Sequence, residues 1–144
     1  MGATGHDTKA IDVGAARDLA SKLVEAYSAC RDTGEVFAPD CLFDVNIPMW
    51  RFQIRGAGEF FSWLRGYSPT GYRLSPARVV PSVSGFVVEV EGDYELRGEP
   101  TYFRNLLLCE VGDGRVRDLT FFCTGDWDPA TRARHSAEVT LIRP

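Results

Sequence analysis

Lysine and histidine are scarce in this chain of 144 residues, with two of each against fourteen arginines. The two histidines, His6 and His135, lie far apart and form no pair with metal-ligand spacing. Acidic side chains outnumber basic ones by 20 to 16, and the formal charge of -4 is the wrong sign for a surface that neutralises phosphates or anionic lipid. Nucleic acid and membrane partners are therefore disfavoured. The longest unbroken apolar run is Leu106 to Cys109, far short of the roughly 20 residues that a membrane span requires. Neither a glycine-rich phosphate loop nor a G-x-S-x-G elbow occurs. The four cysteines, Cys30, Cys41, Cys109 and Cys123, have no C-x-x-C spacing and are expected as buried thiols. Together these absences predict a protein without metal or cofactor. The amino end lacks a basic region followed by an apolar stretch, and His6 stands where a myristoylation site needs Ser or Thr. A short loose leader over residues 1–11 and a cytoplasmic location are expected.

The composition is that of a folded globular chain, 44% hydrophobic and 25% charged, and its length suits one domain over residues 12–144. From Asp12 to Arg31 the residues Ala16, Leu19, Ala20, Leu23, Val24, Tyr27 and Cys30 recur at spacings of three and four, which predicts a helix capped by Asp12 and ended by Gly34. Cys41 to Ile47 alternates as a strand that Pro48 ends. Ala57 to Arg65 reads as a second, aromatic-rich helix between Gly56 and Gly66. Beyond Tyr72 the period falls to two, and four runs follow: Tyr72–Val83, Phe86–Leu96, Thr101–Val111 and Arg115–Trp127. Short turns between them, above all Gly112-Asp113-Gly114, imply an antiparallel meander. Asp128-Pro129 then opens a terminal helix reaching about Ala137. The class is α+β, with helices gathered on one face of a curved, mostly antiparallel sheet.

The order of elements, with Leu23-Val24-Glu25-Ala26-Tyr27 before Asp32-Thr33-Gly34, and Tyr102-Phe103-Arg104-Asn105 before Gly112-Asp113-Gly114-Arg115-Val116, resembles the ketosteroid isomerase and SnoaL-like branch of the nuclear transport factor 2 superfold. The resemblance spans about Asp12 to Asp128. It implies a cone-shaped pocket between helices and sheet that binds a hydrophobic small molecule. A carboxylate there moves a proton while buried donors hold a developing enolate. Tyr27 falls where ketosteroid isomerases keep an oxyanion-hole tyrosine, their base falls near Asn46 or Ile47, and SnoaL-like cyclases place an acid–base aspartate near the end of the last strand.

Asp44, on the polar side of the first strand, is the first candidate for the base, its alternative being a strand-edge acid; Asn46 shares its face. Tyr27 and Asn105 are candidate oxyanion donors. Each also has a structural reading, Tyr27 as core and Asn105 as a buried bridge that needs a partner. Asp126 is the reserve acid–base, although alternation points it away from the pocket unless Gly125 makes a bulge. Trp50, Trp63, Tyr94 and Phe121 are expected to line the pocket, or simply to pack, and His135 to fold over its mouth or stand in solvent. Arg51, Arg55 and Arg104 could bind a carboxylate but more simply form surface ion pairs. The expected function is a cofactor-free cyclase or isomerase acting on a carbonyl-bearing, polyketide-type molecule. Its rivals are a dehydratase, a non-catalytic binding module, and an interaction domain whose outer sheet face, with Val87, Leu106, Leu108 and Phe122, meets a twin subunit. A homodimer through that face fits the enzyme as well.

Overall fold

The computed structural model describes residues 10–143. Most of the leader expected over 1–11 lies outside the described residues; Ile11 is tied down through its amide, which donates to the Val83 carbonyl at 3.3 Å. Helix α1 spans Val13–Ala29, and the Asp12 carboxylate caps it by accepting from the Ala15 amide at 3.1 Å. The helix ends earlier than Gly34. Cys30 adopts the left-handed conformation (φ 52°), and the amides of Cys30 and Arg31 return to the Tyr27 and Ala26 carbonyls. Two carbonyls of the last turn are thereby satisfied before the glycine is reached.

Strand β1 (Phe37–Ile47) begins four residues before the alternation at Cys41 announces it, because Pro39 and a register irregularity between Phe37 and Leu42 interrupt the pattern. Strand β2 (Trp50–Arg55) is not visible in the sequence. It is an edge strand, mostly exposed, reached through a two-residue turn at Pro48-Met49 that carries no hairpin signature. Helix α2 covers Ala57–Tyr67, and the meander follows as β3 (Arg73–Pro81), β4 (Gly85–Leu96), β5 (Glu99–Gly112) and β6 (Arg115–Cys123). Helix α3 (Pro129–Glu138) starts at Asp128, whose carboxylate accepts from the Thr131 amide at 2.7 Å.

The six strands form one curved, unclosed sheet in the order β2-β1-β6-β5-β4-β3, antiparallel throughout except for the parallel pair β1–β6. Strand β1 thus extends the meander past β6, and the chain is α+β as expected. Alternation sorts the sheet cleanly into two faces. Phe43 and Val45 of β1, Phe86, Val88 and Val90 of β4, Leu107 and Cys109 of β5, and Leu119 and Phe121 of β6 are all buried, with the apolar faces of α1 and α2 among them. On the opposite face Leu106, Leu108 and Phe122 remain 40–47% exposed in adjacent strands. None of the described helices is long and apolar enough to cross a membrane.

Gly85 opens β4 where the chain runs hard against β5. A Cβ there would lie 1.8 Å from the Cys109 carbonyl oxygen, whereas one on Gly58 of α2 meets nothing within 4 Å. Gly85→Ala is expected to lower stability by more than about 2 kcal/mol, and Gly58→Ala to raise it by about 0.5 kcal/mol. Urea denaturation midpoints of the two variants check both signs.

Candidate active site

A buried amide sets the floor of the site. Asn105 is 3% exposed on the apolar face of β5, where an unpaired amide would cost about 1–3 kcal/mol. Its orientation follows from its neighbours. The Arg104 carbonyl can only accept, so Nδ2 faces it at 3.0 Å, and Oδ1 is left to accept from the Tyr27 hydroxyl of α1 at 2.6 Å. Burial pushes the Tyr27 phenol well above its ordinary value near 10, which keeps that hydroxyl a donor.

The wall above is aromatic. Tyr72 packs edge-on against Tyr27 with ring centres 5.3 Å apart and lies 5.1 Å from Tyr94; Trp63 of α2 meets Phe121 of β6 at 6.0 Å. These rings do not close over one another. They surround a cavity of about 350 Å³ that Ile47 and Pro48, at the end of β1, also line. The Tyr72 hydroxyl is committed to the Leu64 carbonyl at 2.9 Å. Burial raises the Tyr72 phenol, and burial together with the Asp126 carboxylate raises Tyr94.

Asp126 reaches the cavity through a break in the sheet. Strands β5 and β6 keep one register from Glu110 opposite Asp118 to Asn105 opposite Cys123, and the Thr124 amide still donates to the Arg104 carbonyl at 3.0 Å. The next bridge joins Tyr102 to Trp127. Two steps along β5 therefore match three on the other side, and the extra residue is accommodated where Gly125 adopts φ 102°. The bulge reverses the alternation. Asp126 lines the cavity rim, where regular pairing would turn it to the other face. The Gly125 amide donates to Cys123 Sγ at 3.3 Å, and burial raises that thiol, so Cys123 stands on the wall as a neutral group. Asp126 is the one charged side chain among the described residues lining the cavity. No group of three or more metal-ligating side chains occurs among the described residues.

No protein-family model matches the sequence, and no curated protein matches it. Solved structures do match. An NTF2-like protein from Anabaena variabilis superposes with a TM-score of 0.64 over 88% of this chain and 96% of that one, at 18% identity. The chain has the nuclear transport factor 2-like fold. Other structures of this fold that it resembles are an LEH-like epoxide hydrolase of M. tuberculosis (TM-score 0.61, 15% identity, 76% of this chain and 83% of that one) and IdmH of Streptomyces antibioticus, a candidate polyketide cyclase (0.60, 15%, 76% and 91%).

Within this NTF2-like fold, Tyr27, Asn105, Trp63, Tyr94, Phe121 and Asp126 converge on one cavity. Three expected residues do not. Asp44 alternates with the buried Phe43 and Val45 and so points to the other face of β1, where Arg51 holds it through two hydrogen bonds of 2.9 and 2.8 Å and lowers its pKa. The inward position on that strand is Ile47, which has no proton to move. Trp50 is 68% exposed because β2 lies at the sheet edge. His135 stands on α3 and packs its ring on Trp127, 5.1 Å between centres, away from the cavity lining. Asn46 turns back to the Asp44 carbonyl, Arg55 to the Asp40 carbonyl, and Arg104 pairs with Glu89. Leu64, Tyr67, Tyr72 and Phe103 complete the lining. Phe103 was within reach of the sequence, since it shares a face with Asn105; Tyr67 and Tyr72 depend on where α2 ends.

The three raised phenols of the cavity wall, with that of Tyr102, which burial and the Glu91 carboxylate push up to about 12, make stability fall at high pH. Above about pH 10 the unfolded chain releases phenolic protons that the folded chain retains, so each such tyrosine lowers stability by up to about 1.4 kcal/mol per pH unit. Below that pH their contribution is constant. Tyr27→Phe, which leaves Asn105 Oδ1 buried without a donor, is expected to cost about 1–3 kcal/mol at pH 7 and to flatten the alkaline fall. Urea midpoints from pH 7 to 11 for both proteins test this.

Proposed function

We propose that this protein is a cofactor-independent acid–base enzyme, a cyclase or isomerase, acting on a hydrophobic carbonyl-bearing molecule of the polyketide type. The observation that carries the reading is the Gly125 bulge, which brings one carboxylate to the rim of an otherwise uncharged, aromatic-walled cavity beside the Tyr94 phenol. A carboxylate in that setting takes a proton from carbon next to a carbonyl, and a phenol held protonated donates to the oxygen where charge develops. Asp126 is the base in this reading, and Tyr94, whose phenol burial and Asp126 keep protonated, is the donor. The pair Tyr27–Asn105 forms part of the cavity wall, with the Asn105 amide turned to the Arg104 carbonyl and to the Cys123 thiol. The likeness to IdmH, a candidate polyketide cyclase, supports the same class. Epoxide hydrolysis is less well served. An arginine and paired aspartates around one water would be needed, and the lining holds a single carboxylate and no arginine among the described residues.

A twin subunit over the outer sheet face is part of the proposal. Leu106 lies opposite Phe122 and beside Leu108, an apolar stripe at the centre of the sheet. Sedimentation equilibrium is expected to give a dimer that Leu106→Arg converts to monomer.

The reaction is tested without knowing the product. In deuterium oxide, the wild-type protein is expected to accelerate exchange of the acidic C–H protons of aromatic 1,3-diketones and tetralones, read by mass spectrometry. Asp126→Asn is expected to lose about 10²–10⁴-fold, and Asp44→Asn to stay within about threefold. Exchange that survives Asp126→Asn overturns the assignment of the base. Tight binding of the same compounds without exchange favours the binding module.

A further inference from the structure

Helix α3 contributes no buried residue, yet it is docked on the sheet beside β5. What holds it is a set of stacked side chains on the face of the sheet away from the cavity. Tyr102 lies on that face by alternation with the cavity-lining Phe103. The Trp127 ring packs on Tyr102 with centres 5.4 Å apart and on His135 of α3 at 5.1 Å. The Arg132 guanidinium of α3 sits 4.4 Å from the centre of the Tyr102 ring, a cation–π contact. The Tyr102 hydroxyl in turn donates to Glu91 Oε2 at 2.8 Å, which anchors the ring to β4.

This stack sits directly behind Asp126. Residue 126 is suspended between Gly125, a bulge glycine, and Trp127, whose amide and carbonyl both bond to Tyr102, at 2.8 and 2.9 Å. These two backbone bonds form a single isolated bridge beyond the end of β6, with no ladder on its far side. An isolated bridge next to a glycine does not by itself hold a carboxylate in place, because the glycine permits a wide range of backbone angles.

We propose that Tyr102, Trp127, Arg132 and His135 form a clasp whose role is to position Asp126 at the cavity rim. The clasp makes α3 a brace for the site and gives His135 a part in it without contact with substrate. Its catalytic consequence rests on the reading of Asp126 as the base. A clasp residue acts through the backbone of residues 125–127, so its loss changes how often the carboxylate is correctly placed and leaves the apolar cavity that binds substrate unchanged.

The test compares Arg132→Ala, Arg132→Lys and His135→Ala, changes on a helix with no buried side chain. Two measurements are made on each: amide hydrogen exchange by NMR, and the deuterium-exchange kinetics described above. In Arg132→Ala and His135→Ala, the amides of Tyr102 and Trp127 are expected to exchange at least tenfold faster while that of Val88, central in β4, keeps its wild-type rate. For the reaction, kcat is expected to fall about tenfold or more with KM within twofold, and Arg132→Lys, which keeps a cation over the ring, to recover most of the loss. Unchanged exchange at Tyr102 and Trp127 overturns the clasp. Faster exchange there with unchanged kcat overturns its positioning role. If the wild-type protein catalyses no exchange at all, the acid–base reading fails on its own. The amide rates, with the crystallographic position of Asp126 relative to Tyr94 in Arg132→Ala, then still decide whether the clasp holds the carboxylate.

Discussion

A single buried hydrogen bond governs how this molecule is put together: the Tyr27 hydroxyl donating to Asn105 across 2.6 Å. An amide placed among Phe103, Leu107 and Cys109 has to find partners or destabilise the fold. One partner is its own strand, through the Arg104 carbonyl, and the other comes from α1. That bond sets Tyr27 of α1 over β5, and the rest of the helix's apolar face, from Ala16 to Val24, is buried with it. The sheet end beyond Asn105 is then left to α2 and to the aromatic side chains, and the space between them is the cavity. The site is in this sense what remains once the buried polar pair has been satisfied.

The second constraint is the bulge. A regular strand commits every second residue to one face, so a chain that needs two neighbouring residue types on the same side must spend an extra residue to break the alternation. Here Phe121 and Cys123 face inward in register, and the glycine at 125 lets Asp126 face inward as well. The same break leaves Trp127 bonded to Tyr102 and starts α3 at Asp128 two residues after the carboxylate. One irregular residue thereby connects the cavity rim, the outer face of the sheet and the terminal helix.

Electrostatics give the cavity its character. Tyr27, Tyr72 and Tyr94 in its wall are held protonated by burial, the cysteine is neutral for the same reason, and the arginines are drawn to carboxylates and carbonyls elsewhere, Arg51 to Asp44 and Arg104 to Glu89. Among the described residues that line the cavity, the lone carboxylate meets no cation. This arrangement suits an uncharged ligand and a proton transfer, and it is poorly matched to recognition of a ligand carboxylate or phosphate.

Much of this was legible in the residues. The spacing of Leu19, Leu23 and Tyr27, the caps Asp12 and Asp128, and the alternation of β4 to β6 determine the elements, because local periodicity and capping depend only on neighbours along the chain. The same alternation marks Asn105 as a buried amide in need of a partner. Other features depend on partners distant in sequence. Strand β2 exists because β1 offers it an edge, and the hairpin they form, which has no turn signature, sets Arg51 against Asp44. Trp50 and His135 are aromatic residues of the kind that line pockets, and only their places at the sheet edge and on α3 remove them. Sequence alone determined the class, the helix faces and the list of chemically able side chains. Tertiary structure decided which carboxylate meets the cavity, because that choice turns on one bulge residue, and whether a bulge forms is settled by pairing across strands.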